Sequence, residues 1–590
     1  MRPTSTPSHE VVRTGVHVSI EQYNSSLSPA SAAGSNERAR AYALRHTVKT
    51  DNLIPATVSY QSQGRLLLVG PEDRIRRAAS LLPQGAMPTL LVSEQVHDAG
   101  AADLEAIFAA TASLEALTLR EPALKGYLGQ FQLTGLNGQG ARISLAELCF
   151  PAQAAGGHAS FDLVADLGAT PLFALERPPV GYQHLADDAG LAEQLGELCA
   201  LTGVFDKPRY FRLDPEACAF TARGVPGCSR CLDVCPTDAL KPINGRIQID
   251  PHLCQGFGSC ASACPTGAIA YHQPDANTSG DYLFRLLKHY REAGGEHPVL
   301  LIAGESERSD VEASLAALPS HWLPVWVEEV ASLGLESWLA ALAYGASAVR
   351  IALGDDTPAS VHALVERELA SAAVLLAGAG LSGDRIAIHS LQAVVQASDQ
   401  GAANVAGSLL DKPLKGEKRE TLFAAFDALW LASEGGRKPL AVPHGAPYGA
   451  VALKEADCTL CMGCVAVCPT RALHAVGHEP GLNFIEQDCI QCGMCEKACP
   501  EQAIALVPRL QPVPEARRAV QHLKAEEPAC CIRCGKPFAP ASLIRRIQQK
   551  LAGHSHFQNE AAKRLLMCED CRVKDVFEAM AADPAAQLKL

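Results

Sequence analysis

The 590-residue sequence has no apolar run long enough to cross a bilayer. Stretches such as Pro298–Ala303 and Ala372–Leu381 stop well short of the roughly 20 residues that a spanning helix needs, so no membrane span is expected. It also lacks a basic surplus: 51 Lys+Arg against 64 Asp+Glu leave a net charge of −13, which argues against phosphate neutralisation as its main task. The opening residues, Met1-Arg2-Pro3-Thr4-Ser5-Thr6-Pro7, contain no apolar core segment and no small-residue cleavage site after one, so the expected location is the cytoplasm. No phosphate-binding GxxxxGK[ST] loop, no HExxH and no GxSxG elbow occurs, which removes the commonest marks of substrate chemistry. Cysteine is absent between Cys264 and Cys458, yet the chain holds 22 of them. In a reducing compartment, cysteines at short fixed intervals point to metal ligation or redox chemistry rather than disulfides.

With 48% hydrophobic and 19% charged residues, the chain is built for several packed cores. Residues 1–50, rich in Ser, Thr, Ala and Pro, read as a flexible leader. Residues 51–200 read as an α/β domain of unknown role: strands at Arg65–Gly70 and Thr89–Val92, a helix over Asp73–Leu82, and a hairpin turning at Asn137-Gly138. Residues 295–392 alternate strands (298–302, 323–327, 348–353, 385–389) with helices (310–318, 334–344, 358–375), which predicts a Rossmann-like parallel sheet. The Gly378-x-Gly380-x-x-Gly383 match follows a helix and leads into a strand, the reverse of a phosphate-binding turn, and reads as a Gly-rich turn. Residues 393–450 read as a helix-containing linker. The expected architecture is multidomain α/β and α+β, with cysteine-rich modules flanking the cysteine-free domain.

Between 451 and 508 the chain reads Cys458-Thr-Leu-Cys461-Met-Gly-Cys464-Val-Ala-Val-Cys468-Pro469, then Cys489-Ile-Gln-Cys492-Gly-Met-Cys495-Glu-Lys-Ala-Cys499-Pro500. Each half is C-x2-C-x2-C-x3-C-P, and the pair resembles bacterial ferredoxins with two [4Fe–4S] clusters; the rival, paired zinc knuckles, explains neither the complete repeat nor its prolines. The resemblance assigns Cys458, Cys461, Cys464 and Cys499 to one cluster and Cys489, Cys492, Cys495 and Cys468 to the other. Residues 210–275 carry an altered copy. Its first half is Cys228-Ser-Arg-Cys231-Leu-Asp-Val-Cys235-Pro236, with Val225 where a cysteine belongs and Cys218 upstream. By resemblance Cys218, Cys228, Cys231 and Cys264 hold one cluster. In the second half, Cys254-Gln-Gly-Phe257-Gly-Ser-Cys260-Ala-Ser-Ala-Cys264-Pro265, Phe257 replaces a ligand. Cys254, Cys260 and Cys235 remain, leaving three outcomes open: a [3Fe–4S] cluster, a [4Fe–4S] cluster with a non-cysteine ligand, or none. His252 and Ser259 are the nearby substitutes, with His252 expected in a solvent-exposed loop.

Over residues 525–580, Cys531-Ile-Arg-Cys534-Gly535 is answered by Cys568-Glu-Asp-Cys571. Two C-x2-C pairs suit a four-thiolate zinc site with helices near 543–551 and 561–567, against a further iron–sulfur cluster or an unmetallated redox pair. Cys530 is the weaker ligand candidate because it breaks the x2 spacing. Cys149 and Cys199 lie in apolar periodic contexts and read as buried inert thiols.

The block order resembles proteobacterial polyferredoxin-type proteins associated with molybdenum formate dehydrogenase systems. The stretch Leu323-Pro-Val-Trp-Val-Glu-Glu-Val-Ala-Ser-Leu-Gly-Leu-Glu-Ser-Trp338, followed by Ala341–Val349, is similar to the delta-subunit domain of hydrogenase–heterodisulfide reductase complexes, although that domain's cysteines are missing here. These resemblances imply a cytoplasmic electron-transfer protein with redox protein partners, a formate dehydrogenase among the candidates. The alternatives are a flavin- or substrate-binding oxidoreductase subunit and a metalloenzyme assembly factor. The sequence names no catalytic residue.

Overall fold

A computed structural model describes residues 34–50, 56–94 except 87, 120–390 except 138, 155, 158, 223 and 315–317, and 407–582 except 478, 558 and 559. Residues 1–33 of the expected leader and 393–406 of the expected linker lie outside the described residues. Among the described residues no helix is long and apolar enough to cross a membrane.

In the first domain, strands Thr89–Glu94, Leu66–Pro71, Leu163–Asp166 and Tyr182–His184 form a parallel sheet in that order. The Leu66–Val69 run is apolar throughout because the strand is central: Leu66 and Leu68 pack into one core, Leu67 and Val69 into another on the opposite face. A separate antiparallel sheet joins Arg120–Lys125, Gln132–Leu136 and Arg142–Ser144. The Asn137 carboxamide oxygen accepts N–H bonds from Gln139 and Ala141 at its turn.

The middle domain carries the expected parallel sheet, ordered Trp322–Val327, Val299–Gly304, Ala348–Leu353, Ile386–Ser390. Helices Leu335–Ala343 and Ala359–Gly378 cover it. The second strand in sequence lies on one side of Val299–Gly304 and the third on the other, so strand order reverses at the ends of Val299–Gly304 and Ala348–Leu353. The Gly378–Gly383 segment closes the helix and leads to the edge strand, as the Gly-rich turn reading expects.

Two boundaries differ from expectation. The leader extends only to residue 34 at most, because Ser35–His46 is a helix whose Ala39 and Ala43 are fully buried in the middle-domain core. Its charged residues mask this: the contact stripe consists of small side chains four residues apart, which average hydropathy does not register. The linker likewise contains a core helix, Lys418–Ala432, begun by a Glu417/Glu420 capping box. Its Leu422, Phe423, Ala425, Phe426 and Leu429 pack in the same cluster as helix Leu335–Ala343.

The two cysteine-rich modules share a plan. In the first, Phe211–Leu213 pairs with Ile269–Tyr271, and Leu240–Ile243 with Arg246–Ile249. In the second, Gly449–Leu453 pairs with Ile504–Pro508, and Leu473–Ala475 with Gly481–Ile485, which is extended by Val520–Ala525. The tail adds helices Ala541–Leu551, Glu560–Arg564 and Glu569–Ala582. Because Phe426 is fully buried in the middle core, Phe426→Ala is expected to cost about 3–5 kcal/mol in urea unfolding. A free linker helix would lose less than about 0.5 kcal/mol.

Candidate cluster and metal sites

In the second module both cysteine loops are bent by left-handed backbone. Leu460 and Met462 flank Cys461 at φ 51° and 58°, and Gln491 and Gly493 flank Cys492 at φ 54° and 76°. The bends turn successive sulfurs inward, and short helices Gly463–Val467 and Met494–Ala498 then carry the chain to the fourth cysteine. One cavity is lined by Cys458, Cys461, Cys464 and Cys499, with Leu482 and Ile504 among its apolar walls. A second is lined by Cys468, Cys489, Cys492 and Cys495 beside Phe484. The fourth cysteine of each repeat thus stands with the other repeat's three.

In the first module Cys231 is pushed up to about 12 by burial and by the neighbouring Cys264, Cys228 and Cys218 thiols. Cys254 rises to about 11, mainly through burial, with Cys235 adding to it. Cys260 is pushed well above the ordinary thiol range by burial and then by Cys254, Cys235, Cys231 and Cys264. The same physics raises Cys464 to about 12 and Cys492 to about 11, burial first in each case. Such arrays keep their protons until a cation compensates the thiolates, so the donor sets fit iron–sulfur clusters. Hydrogen bonds aim at sulfur already: Leu460 N–H to Cys458 at 3.5 Å, Ala503 N–H to Cys499 at 3.2 Å, and Gln491 Nε2 to Cys489 at 3.2 Å.

Phe257 occupies the position of Cys461 and Cys492, and the backbone around it is unchanged in kind: Gly256 and Gly258 take φ 89° and 79°. A Cβ on Gly258 would meet Ser332 N at 2.4 Å, so the loop is pressed against the middle domain. The Ser259 hydroxyl donates to Val234 O at 2.8 Å. His252 does not stand in an exposed loop; its ring is half-buried and stacks on Tyr127 at 4.4 Å. Phe257 and Gln255 line a cavity of about 620 Å³ that reaches Gly304 and Gly354, where strand order reverses in the middle sheet, with Glu307, Glu329 and Arg177 also on its wall.

Sequence reasoning missed three cations that hold the cysteine loops. Lys207 donates to His252 O at 2.8 Å and Cys254 O at 2.7 Å, and burial lowers it to about 8. Lys418 and Arg419 donate to backbone carbonyls in the first and second modules respectively. Nothing local in the sequence marks them, because their partners are remote in the chain.

In the tail, one ligand atom from each of Cys531, Cys534, Cys568 and Cys571 lies within 4.8 Å of the others. Burial raises the Cys531 thiol, but hydrogen bonds from the Cys568, Cys534 and Arg533 backbones outweigh it and bring it down to about 6. Cys571 is pushed to about 12 by the Cys534 thiol first, then by burial. Gly535 turns the first knuckle at φ 73°, and Cys530 is exposed outside the group. A four-thiolate set of this size fits a tetrahedral metal ion. Cys149 and Cys199 are half-buried thiols raised by burial.

Residues 226–268 and 457–504 match two different family models, each described as a 4Fe-4S dicluster domain. The chain therefore contains two 4Fe-4S dicluster ferredoxin domains, and these imply 4Fe-4S clusters. It is 39% identical over 56 residues to Hydrogenase-4 component A of Escherichia coli (strain K12), covering 9% of this chain and 27% of that protein. It is 40% identical over 43 residues to Ferredoxin 7Fe of Hydrogenibacillus schlegelii, covering 7% of this chain and 54% of that protein. The matched segments thus span about a quarter and about half of those two relatives.

At the Phe257 cavity, burial and then the charges of Glu307 and Glu328 push the Glu329 carboxyl up to about 7, against a smaller lowering by Arg177. The folded state therefore binds this proton more tightly than the unfolded chain, and stability should fall as pH rises from about 4.5 to about 7. Glu329→Gln is expected to remove that decline and to stabilise the protein at pH 8 by roughly 1–2 kcal/mol. Urea unfolding of both forms at pH 5 and pH 8 measures it; an unchanged pH slope would count against a protonated Glu329.

Proposed function

We propose that the protein is an iron–sulfur electron carrier that passes single electrons between a dehydrogenase and a second redox partner. The observation that carries this reading is the pair of four-cysteine cavities in residues 451–508, each closed by the fourth cysteine of the opposite repeat. Cys458, Cys461, Cys464 and Cys499 hold one [4Fe–4S] cluster, and Cys489, Cys492, Cys495 and Cys468 the second. Cys218, Cys228, Cys231 and Cys264 hold a third. Cys254, Cys260 and Cys235 hold a three-iron cluster, since Ser259 and His252 are engaged elsewhere; a dicluster module with one cubane and one three-iron cluster totals seven irons, the number in the name of the Hydrogenibacillus relative. A bound cluster supplies a one-electron couple whose added charge is spread over its irons and sulfurs.

The protein's own groups fit that task. Apolar walls such as Leu482, Ile504 and Phe484 line the cysteine cavities, and the N–H bonds to Cys458, Cys499 and Cys489 favour the more negative state. The net charge of −13 favours a partner with a basic docking face. The block order supports a formate dehydrogenase as that partner, in the cytoplasm. Cys531, Cys534, Cys568 and Cys571 hold a structural zinc. A second reading, an oxidoreductase subunit that binds flavin or substrate, is favoured by the cavity of about 620 Å³ at the strand-order reversal, the usual ligand position in open α/β sheets.

Anaerobic purification should yield about 15 iron atoms per chain, four for each of three cubanes and three at the Phe257 site, together with one zinc that Cys568→Ser removes. Iron near 8 per chain would overturn the two-module carrier. A flavin released on denaturation would favour the second reading.

A further inference from the structure

The helix Lys418–Ala432 begins with two cations that reach in different directions. Lys418 Nζ donates to Ala261 O at 2.7 Å and Ser262 O at 2.6 Å, on the short helix Ser259–Ala263 that carries Cys260 and leads to Cys264. It also lies 3.6 Å from the buried Glu336 carboxylate. Arg419 Nε donates to Gln487 O at 2.7 Å and Nη2 to Cys489 O at 2.8 Å in the second module, and Nη1 to Pro447 O at 3.1 Å just before it. Its guanidinium lies over the Phe423 and Tyr448 rings at 5.0 and 5.6 Å. Consecutive residues of one capped helix turn therefore grip both modules, and that helix is fixed in the middle-domain core.

The grip coincides with direct contact between the modules. Met494, fully buried, lines the Cys468/Cys489/Cys492/Cys495 cavity and also packs on Gly227, where a Cβ would fall 2.2 Å from Met494 Cε. Gly227 is the residue before Cys228. Lys497 Nζ donates to Pro226 O at 3.0 Å, and the Arg230 guanidinium donates to Gly445 O. Cys228 follows Gly227 and Met494 precedes Cys495, so the Cys218/Cys228/Cys231/Cys264 group and the Cys468/Cys489/Cys492/Cys495 group meet at this seam.

We propose that Lys418 and Arg419 hold the two dicluster modules in register, so that the four cysteine groups form a single row through the chain. The order is Cys235/Cys254/Cys260, then Cys218/Cys228/Cys231/Cys264, then Cys468/Cys489/Cys492/Cys495, then Cys458/Cys461/Cys464/Cys499. One end lies at the Phe257 loop beside its cavity, and the other ends at the exposed Cys461. The modules then exchange electrons internally, one lost by one module for each gained by the other with no bond made or broken, and two partners can be served at opposite ends. This rests on the reading that the groups hold clusters.

The Arg419 guanidinium meets carbonyls through Nε, Nη1 and Nη2, one of them that of Cys489, so its positive charge also favours the reduced, more negative state at the adjacent Cys489 group. Both residues are positioning residues, and the test is made on the full, cluster-loaded chain. EPR of the fully reduced protein should show magnetic interaction between the inner sites, and Cys228→Ser, which disables one of them, should narrow the signal of the Cys468/Cys489/Cys492/Cys495 site. Lys418→Met and Arg419→Leu should keep iron and sulfide content within a tenth of the wild type yet weaken that interaction. Arg419→Leu should also move the inner site of the second module to a more negative potential, whereas Arg419→Lys retains the potential. A wild-type spectrum that is the plain sum of isolated sites, or one indifferent to Cys228→Ser, overturns the single row even if a charge variant fails to fold. Unchanged interaction and potential in folded Arg419→Leu overturns the role of Arg419. Wild-type iron near 8 per chain would instead overturn the carrier reading on which the proposal stands.

Discussion

Like-charged sulfurs crowded into small apolar volumes are the constraint around which this molecule is organised. Burial and mutual repulsion together drive Cys260 and Cys495 far above the ordinary thiol range and Cys231 and Cys464 to about 12. Left alone, the groups would relax by turning sulfur toward water or by taking up protons. The surrounding chain prevents the first: left-handed bends at Leu460, Met462, Gln491 and Gly493 fix the direction of each side chain before any metal arrives. N–H groups aimed at Cys458, Cys489 and Cys499 then supply positive ends where thiolate charge will sit. Folding and metal loading are consequently linked, because the geometry that makes the thiols unfavourable is the geometry a cluster relieves.

The two flanking α/β units take on meaning in that light. The middle sheet is a stiff mount, with parallel strands buried on both faces and a core that also claims helices Ser35–His46 and Lys418–Ala432 from the expected leader and linker. From it, Lys418 reaches the Cys260–Cys264 helix and Arg419 reaches the Cys489 loop. The first domain contributes Lys207 to the Cys254 carbonyl, and its Glu176 carboxylate accepts from Ser360 N–H at the start of helix Ala359–Gly378. Each cysteine module is therefore tied to a rigid neighbour by cations or caps that bind backbone. Backbone contacts fix position without competing for the sulfurs.

What the sequence made legible follows from range. Cluster loops are local objects, so C-x2-C-x2-C-x3-C-P spells out which sulfurs can converge, and the strand–helix alternation of 299–390 likewise follows from short-period apolar patterns. The tail was readable for the same reason, since each C-x2-C knuckle closes within a few residues. Lys207, Lys418 and Arg419 were not, because a lysine or arginine bound to a carbonyl far along the chain looks like any solvated cation. Ser35–His46 escaped notice because two alanines make its contact; a helix in 393–450 was expected, but not its place in the core, because Gly407, Gly416, Gly435 and Gly436 around Lys418–Ala432 read as connection.

Phe257 shows how far a local reading reaches. Loss of a ligand by drift would be expected to relax the loop that once held it, since the left-handed bends at Gly256 and Gly258 would no longer be offset by metal binding. The bends remain, and Gly258 is fixed against Ser332 so closely that no side chain fits there. Here the loop conformation is held by the middle domain, and the side chain at position 257 is free to serve another purpose. It lines the cavity where strand order reverses, together with Gln255 from the same loop and Glu307 and Glu329 from the middle domain. At the position that Cys461 and Cys492 hold in the second module, phenylalanine gives this cavity an apolar wall within the cysteine loop itself. The departure from the ferredoxin pattern therefore falls at a loop that also borders a ligand-sized cavity, which ties the altered cysteine group to the middle domain.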